Sequence, residues 1–281
     1  MTGRYLTLVS YQKSALKTIV LLGCLFLVAS SATAQETNPA RELAQRTMEA
    51  MGGTESLDTI RYLRFDFQVE VDGNKVYVGR HLWDRQSGRY REEWELFGEQ
   101  AQALFNVHTR EGRVYRGGDE IEAEESADVL EQAYYNHLND SYWLLMPWKL
   151  TDPGVHLSNL GRETVNGKTY EVLHLRFDDG VGESSGDQHW VYINTETGLV
   201  EQTGYFLERF EKTEPSLAEA TIWAWTDWIE TGGVQFARDR KVLRAIHDPF
   251  ETAHARFTLV VALDEVDDAV FESLSVSMPN H

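Results

Sequence analysis

The sequence predicts a mainly β fold: a curled antiparallel sheet, or half-barrel, of about ten or more strands, covered by an N-terminal helix and a mid-chain helical insert. Two observations lead to this fold class. Segments in which apolar and polar residues alternate recur at short spacing along most of the chain. One segment with helical periodicity, at about residues 126–146, interrupts them. A sheet this wide must curl, and helices over its mouth would leave an apolar hollow.

The first 34 residues have the features of a secretory signal peptide. They contain three basic and no acidic residues, an apolar run, and Ala32–Ala34 before Gln35. The run is shorter than the roughly 20 apolar residues of a membrane span. The letters LLGC ending at Cys24 offer an alternative, a lipoprotein signal with a lipid on that cysteine, but the apolar run continues past it. We expect an exported, periplasmic protein with a single domain over residues 35–281.

Charge and cysteine content exclude several classes of function. The chain has 26 basic and 45 acidic residues, and loss of the three basic residues of the signal raises the acidic excess from 19 to 22. Such a surface repels nucleic acid and anionic membrane faces. Cys24 is the only cysteine, so the predicted mature chain has no disulfide and its core alone must stabilise it. We expect a monomer without a nucleic-acid partner or a cofactor.

The first element after the signal is a predicted helix in NPARELAQRTMEAMGG. Asn38 can cap it, Pro39 suits its first turn and Gly52-Gly53 ends it. Its buried side would hold Leu43, Thr47, Met48 and Met51. The strand that follows alternates, with one face formed by Leu63, Phe65, Phe67, Val69 and Val71. Further along, Asn166-Gly167 is a strong hairpin signal.

The helical insert carries the apolar and aromatic stretch YWLLMPW. We expect a helix from about Ser126, with a restart at Ser141 as an alternative, that ends before Pro147. Large apolar side chains crowd its end: Trp143, Leu144, Leu145, Met146 and Trp148. They either pack as ordinary core or form the lid and wall of a pocket for acyl chains.

A second aromatic segment, TIWAWTDW, reads as a strand with apolar bulk on both faces. Strict alternation places Trp223, Trp225 and Asp227 on one face. The other face would hold Ile222, Ala224 and Trp228. One of these faces is expected to meet the helices.

Three patterns associated with catalysis or metal binding lack their structural context. Ser184 fits G-x-S-x-G but lies between strand-like segments, where a hairpin loop is expected. In HDPFETAH, Pro249 disrupts the helix on which His247, Glu251 and His254 would bind zinc, so a loop between strands is expected. Asp178-Asp179 and Asp187 do not fit a calcium loop and read as solvated turn residues. Four other histidines, His81, His108, His174 and His189, lie on separate predicted strands. We therefore predict no enzyme.

The layout of the chain resembles the LolA/LolB-like superfamily of periplasmic lipoprotein carriers. The resemblance rests on ARELAQRTMEAMGG leading into a strand, followed by a meander with a central helical insert. More narrowly, YWLLMPWKLTDPG and GDQHWVYINTETGLV resemble segments of an exported family described as outer-membrane lipoprotein-sorting proteins. In that family a Tyr is expected before the Trp of the second motif, whereas this chain has His189 before Trp190.

The resemblance implies a cavity that holds lipid, or the acyl chains of a lipoprotein, without covalent attachment. The alternative is an envelope protein with a filled core that binds a protein partner and no lipid. The candidate lipid-binding residues are Phe65, Phe67, Trp143, Leu144, Leu145, Met146, Trp148, Trp190, Trp223 and Trp225.

Overall fold

The computed structural model describes residues 38–96, 98–179, 186–208 and 215–280. The helices are α1 (Pro39–Ala50), α2 (Gly53–Thr59) and α3 (Ala123–Leu145). The strands are β1 (Tyr62–Val71), β2 (Asn74–Asp84), β3 (Arg89–Leu96), β4 (Glu99–Asn106), β5 (Gly112–Arg116), β6 (Asp119–Glu120), β7 (Val155–Val165), β8 (Lys168–Phe177), β9 (Gln188–Asn194), β10 (Val200–Phe206), β11 (Thr221–Thr231), β12 (Val234–Ala245) and β13 (Asp248–Leu263). The predicted fold class is confirmed.

All of the described strands form one antiparallel sheet with the order β6-β5-β4-β3-β2-β1-β13-β12-β11-β10-β9-β8-β7. The chain starts near the middle at β1 and reaches one edge at β6. The segment that contains α3 then carries it to the opposite edge at β7, and it returns strand by strand to β13 beside β1. No pairing joins β6 to β7 in the described residues, so the sheet is open.

Helix α1 follows the sequence prediction closely. The side chain of Asn38 accepts hydrogen bonds from the backbone N–H groups of Ala40 and Arg41, which caps the helix. The buried side holds Leu43, Thr47, Met48 and Met51. Gly52 ends α1 with φ of 107°, and a Cβ there would lie 2.1 Å from the carbonyl oxygen of Gly233. The short helix α2 that follows was not expected.

Helix α3 is one continuous helix, so the alternative of a restart at Ser141 is wrong. Ser141 is buried, and the helix continues for four more residues to Leu145. Pro147 does not extend α3 but lies in the first turn of a 3-10 helix, Met146–Lys149. The first turn of a helix tolerates proline because its N–H would have no partner there. None of the helices in the described ranges combines the length and the apolar character needed to cross a membrane.

The predicted faces of β11 require one correction. Asp227 has a φ of 57° and no partner in the β11–β12 register, in which Thr226 pairs with Asp239 and Trp228 with Ala237. The register is the same on both sides of Asp227, so neither strand carries an extra residue, but the alternation of faces is reversed beyond this irregularity. Trp228 therefore packs with the core of the concave side, together with Trp223, and not with Ile222.

The segment HDPFETAH is also not the predicted loop. Only Ile246 and His247 lie between β12 and β13, and β13 begins at Asp248. The register between the two strands shifts from Leu243 onward. A proline, which lacks an N–H, is tolerated in a strand at such an irregularity.

The C-terminal segment 264–280 covers the convex face of β1 to β3. Its apolar side chains, which include Val270 and Phe271, pack on Tyr62 and Leu82. Two buried arginines of the sheet bind its backbone: Arg64 donates to the carbonyl oxygen of Pro279, and Arg91 to those of residues 270, 273 and 276. The convex face is thus not left to solvent at this end of the sheet.

Candidate functional site

A cavity of about 810 Å³ lies between the C-terminal half of α3 and the concave face of the sheet. Its apolar wall is formed on the helical side by Trp143, Leu145 and Met146. On the sheet side it is formed by residues of β8, β10 and β11, which include Leu175 and Trp223. The volume falls within the roughly 300–1,000 Å³ of sites that bind small molecules.

Trp143 is the centre of the apolar wall. Its ring lies 4.8 Å from that of Trp223 and 5.5 Å from that of Tyr205, measured between centroids. These contacts connect the last turn of α3 with strands β10 and β11. The stretch YWLLMPW therefore contributes both to the core, through Leu144 and Trp148, and to a cavity wall, through Trp143 and Met146. The interpretation as ordinary core and the interpretation as a pocket wall each describe part of it.

Arg240, on strand β12 of the sheet, binds the C-terminal end of α3. The guanidinium group is fully buried, lies 3.6 Å from the centroid of the Trp225 ring, and donates through Nη2 to the carbonyl oxygen of Trp143 at 3.0 Å. The carbonyl groups at a helix C-terminus carry partial negative charge, which a cation stabilises. Burial lowers the pKa of Arg240 to about 9. This contact positions Trp143 at the cavity.

Of the ten side chains predicted as candidates, four line the cavity: Trp143, Leu145, Met146 and Trp223. Five others pack in the solid core beside it: Phe65, Phe67, Leu144, Trp148 and Trp225. Trp225 makes a hydrogen bond from Nε1 to Oγ1 of Thr203 at 3.0 Å. These five support the cavity without facing it.

Trp190 lies on the opposite face of the sheet from the cavity. Its ring stacks on that of His174 at 4.9 Å and packs in a cluster with Tyr192 and Ile222 on the convex side. Because side chains alternate along β9, the neighbours His189 and Val191 point to the concave side instead. The expected place of Trp190 in the cavity wall is therefore taken by His189.

His189 and Tyr142 form a polar end of the cavity. The hydroxyl group of Tyr142 lies 3.0 Å from Nδ1 of His189. The rings of Tyr205 and Phe177 pack on the imidazole, at 4.2 and 5.2 Å. Burial lowers the pKa of His189 to about 3, so the ring is neutral at physiological pH. Burial also raises the pKa values of Tyr142 and Tyr205.

One position of this polar end stands out in the sequence, although its role there was not predicted. The departure from the resembling family at His189 marks the position, but nothing local shows that His189 and not Trp190 faces the helices. Tyr142 and Tyr205 were not predicted. They are 63 residues apart in sequence and meet only because α3 crosses the concave face.

His137 lines another part of the cavity together with Trp83. Their rings make an edge-to-face contact at 5.0 Å, and the ring of Tyr90 lies 4.5 Å from that of His137. Nδ1 of His137 is buried without a hydrogen-bond partner in the part of the chain described. Burial, with smaller effects from nearby His81 and other basic groups, lowers the pKa of His137 to about 3. This histidine is therefore neutral as well.

Three charged side chains line the cavity within the described ranges: Lys149, Asp152 and Asp187. Nζ of Lys149 lies 3.7 Å from Oδ2 of Asp152, and both side chains are about half exposed at the mouth. Asp187 is buried and accepts a hydrogen bond from the backbone N–H of Glu208 at 3.0 Å. The described lining thus carries one positive and two negative charges.

The residues considered for catalysis or metal binding do not converge. In the described ranges, no three His, Cys, Asp or Glu side chains are grouped so that they could hold a metal ion. Nε2 of His247 lies 3.4 Å from a carboxylate oxygen of Glu163, while Nε2 of His254 lies 3.4 Å from one of Asp239. Ser184 lies outside the described residues.

Three comparisons place the chain among known proteins. A family model, a family of unknown function (DUF6503), matches residues 103–214. Among curated proteins there is no match. Solved structures do match, at low sequence identity.

One of these structures is a DUF1329 family protein from Desulfovibrio piger, with a TM-score of 0.45 and 12% identity, covering 86% of this chain and 100% of that one. An outer-membrane lipoprotein-sorting protein domain from Vibrio parahaemolyticus has a TM-score of 0.43 and 8% identity, covering 82% and 94%. A LolA superfamily protein from Nitrosomonas europaea has a TM-score of 0.39 and 10% identity, covering 80% and 96%. The resemblance expected from the sequence is thus found, as a likeness of fold.

Proposed function

We propose that this protein binds lipid, or the acyl chains of lipoproteins, non-covalently in the cavity under α3. The observation that carries the proposal is the cavity itself, about 810 Å³ in volume and walled by Trp143, Leu145, Met146 and Trp223. Transfer of each CH₂ group from water into such surroundings gains about 0.8 kcal/mol, so a long acyl chain can bind without a charged anchor.

Aromatic and thioether side chains suit a ligand of variable shape. Trp143 and Trp223 offer large, flat surfaces, and Met146 adapts to irregular gaps. The alternative of an envelope protein with a filled core agrees less well with an open space of this size.

The first experiment is native mass spectrometry of the protein purified from its own envelope, with solvent extraction of bound material. A stoichiometric acyl-containing adduct is the expected result. The Leu145→Gln variant places an amide in the cavity wall and should abolish the adduct. Leu160→Gln is the matched control, because Leu160 is 57% exposed on the edge strand β7. A bare mass together with no uptake of added phospholipid, fatty acid or acylglycerol would overturn the proposal.

Export to the periplasm is part of the same proposal and rests on residues 1–34, which lie outside the described residues. The intact mass of the native protein tests it. Cleavage after Ala34 gives a chain that begins at Gln35, whereas the lipoprotein alternative gives an acylated Cys24 at the N-terminus. A mass that retains residues 1–34 would contradict both.

A protein partner is the second candidate, and one observation favours it. Tyr135 and Leu138 of α3 line the mouth of the cavity and are 41% and 42% exposed, among the most exposed large apolar side chains in the described residues. Exposed apolar groups at the entrance suit a surface that docks there while a ligand is transferred. A photo-crosslinker at Leu138 should capture a specific envelope protein, and the same probe at Leu160 should not.

A further inference from the structure

We infer that the end of the sheet at which the cavity opens docks a partner protein whose contact face combines apolar and basic side chains. This inference rests on the second candidate of the proposed function, a protein partner, and names the docking surface and the chemistry of that partner. It follows from where the exposed apolar side chains lie and from which charges around them lack an ion-pair partner.

Exposed apolar side chains gather around the mouth of the cavity. The end of the sheet at which β1 and β3 end and β13 begins is also the end at which β8 and β10 end and β9 and β11 begin, because neighbouring strands are antiparallel. Residues of these last four strands line the cavity. Five of the six exposed large apolar side chains in the described residues lie at this end or on α3 at the mouth: Val71, Leu96, Tyr135, Leu138 and Phe250. We call these five side chains the apolar rim.

The members of the rim on β1 and β3 face the same side of the sheet as the cavity. Leu96 lies directly opposite Tyr77 in the β2–β3 ladder, and the hydroxyl group of Tyr77 donates to a carboxylate of α3. Directly opposite residues share a face of the sheet. Val71 follows Phe67 by four residues on β1, and Phe67 packs in the core beneath α3. Exposed apolar side chains that gather in this way mark an interaction surface, whereas scattered ones are ordinary.

Free carboxylates border the apolar rim. Asp128 and Glu131 lie on the same face of α3 as its two rim residues, with successive spacings of three, four and three positions. Asp72 follows β1 in the turn to β2, and Glu99 begins β4 directly opposite Leu96. All four carboxylates are exposed, and none of them forms an ion pair within the described ranges.

The cations at the same strand ends are mostly paired. Arg244 lies 3.3 Å from Asp248, and Lys241 lies 3.2 Å from Glu251. Lys75 at the start of β2 has no ion pair in the part of the chain described. The free charge that borders the rim is therefore predominantly negative. Complementary charges steer association and disfavour wrong partners, so a basic contact face suits this surface, whereas anionic lipid headgroups are repelled.

The test uses a fluorescent probe peptide of about 20 residues, long enough to form a helix, with leucines on one face and lysines on the other. Fluorescence anisotropy measures its affinity for protein produced from the full chain. We expect binding at about 0.1 M salt that is largely lost at about 1 M, because the Debye length falls from about 10 Å to about 3 Å. The same peptide with glutamates in place of the lysines should not bind.

Variants of the carboxylates locate the binding. Asp128→Asn combined with Glu131→Gln should weaken binding of the lysine peptide about threefold to tenfold, since exposed ion pairs are individually weak. Glu42→Gln combined with Glu49→Gln is the matched control. Both of these carboxylates are exposed on α1, without an ion pair in the described residues, and the C-terminal end of α1 bonds to the start of β12 at the opposite end of the sheet. The control should leave the affinity unchanged, and an equal loss in both double variants would reduce the binding to attraction by net charge and overturn the inference.

A second pair of variants tests the apolar contribution. Leu96→Ser removes an apolar side chain from the rim and should weaken binding of the lysine peptide several-fold. Leu160→Ser is the control, because Leu160 is 57% exposed on the edge strand β7, away from the rim, and it should bind the peptide as the parent does. Equal affinities of the parent and Leu96→Ser would contradict a docking role of the rim.

Vesicles distinguish a protein partner from a membrane surface. Flotation is measured with vesicles of phosphatidylcholine and with vesicles that also contain phosphatidylglycerol. We expect the protein to stay unbound in both cases. Binding to either kind of vesicle that Leu96→Ser abolishes would make the rim a membrane-docking surface and overturn the inference.

The outcomes also separate this inference from lipid binding in the cavity. An acyl-containing adduct in native mass spectrometry, without binding of the lysine peptide, would refute the docking surface and leave the cavity function standing. Binding of the peptide at the rim without any adduct or lipid uptake would refute the cavity function and leave the docking surface standing.

Discussion

Nε2 of His81 lies 3.0 Å from Oδ2 of Asp140, and this contact joins strand β2 to the C-terminal half of helix α3. The same carboxylate oxygen accepts a hydrogen bond from the hydroxyl group of Tyr77 at 2.6 Å. On the other side of the imidazole, Nδ1 lies 3.0 Å from the hydroxyl group of Tyr90. Both members of the central pair are fully buried. The helix that walls the cavity is thus held to the sheet by buried polar contacts as well as by apolar packing.

A second contact lies one turn earlier on α3. Nδ2 of Asn136 donates to Oε1 of Glu92 on β3 at 2.7 Å, and Gln132 in turn donates to Asn136. Glu92 is fully buried, and Oε2 has no partner among the described residues. Burial, together with the nearby charge of Asp140, raises the pKa of Glu92 well above its usual range. Polar contacts in a buried network specify one arrangement, because alternatives leave groups unsatisfied. Here they fix the position of α3 along the sheet.

Gly79 of β2 makes room for this network, and Gly79→Ala should disrupt it. A Cβ there would lie 2.4 Å from Nε2 of His81 and 2.5 Å from the hydroxyl oxygen of Tyr77. Overpacking of this kind costs about 1–3 kcal/mol of unfolding free energy. Urea unfolding measures it, with the exposed neighbour Arg80→Ala as the control, expected within about 0.5 kcal/mol of the parent. Equal stability of both variants would show that the network is loosely packed.

Glu92→Gln should stabilise the protein at neutral pH. The folded-state pKa of Glu92 lies above the ordinary value of 4.5, so the folded protein binds this proton more tightly than the unfolded chain does. The contribution of Glu92 to stability therefore falls as the pH rises above that value. Glutamine keeps Oε1 for Asn136 and removes the charge. We expect a gain of at least about 1 kcal/mol at pH 7 that shrinks toward pH 4, measured by urea unfolding at both pH values. A loss at pH 7 would mean that the ionised carboxylate is stabilising.

Local patterns predicted the strands, α1 and the end of α3, because each depends on residues close together in sequence. The cap at Asn38, the alternation of Leu63, Phe65 and Phe67, and the position of Pro147 are such cases. The face of Trp228 was predicted wrongly because the alternation is interrupted at Asp227, whose φ of 57° departs from the extended conformation of a strand. No glycine or proline marks this interruption in the sequence.

Features set by distant residues could not be predicted. Alternation places His189 and Trp190 on opposite faces of β9, but only the path of α3 decides which face is concave and which residue meets the cavity. The same applies to Arg64, whose strand face is covered by Pro279, 215 residues further along the chain. For the site, the candidates taken from the sequence therefore include Trp143, Leu145 and Met146 of the apolar wall but neither Tyr142 nor His189 of the polar end.

His137 should make the protein less stable in mild acid. The unfolded chain takes up this proton near the ordinary pKa of 6.5, and the folded protein only near 3, so stability falls as the pH drops between these values. His137→Phe should reduce the slope of unfolding free energy against pH by about 1 kcal/mol per pH unit between about pH 6 and pH 4. His137→Gln cannot titrate either and should reduce it equally. An unchanged slope in both variants would mean that His137 is protonated in the folded state.

Arg91 should hold the C-terminal segment on the convex face. The guanidinium group is buried, and Nη1 donates to the carbonyl oxygens of Val270, Ser273 and Val276 at 3.1, 3.2 and 2.6 Å. Hydrogen bonds from charged donors contribute about 1.5–3 kcal/mol, and their loss leaves buried carbonyl groups unpaired. Arg91→Ala should therefore release residues 264–280 while the rest of the sheet stays folded.

Limited proteolysis and hydrogen exchange measure this release. In Arg91→Ala we expect rapid cleavage within the segment and loss of amide protection there, with β8 to β12 unchanged. Arg116→Ala is the control, because Arg116 is exposed and its 4.0 Å ion pair with Glu125 lies away from the segment. Because the covered face is the convex one, the variant should also keep its affinity for the cavity ligand. Equal protection of the segment in both variants would assign its attachment to the apolar contacts of Val270 and Phe271 instead.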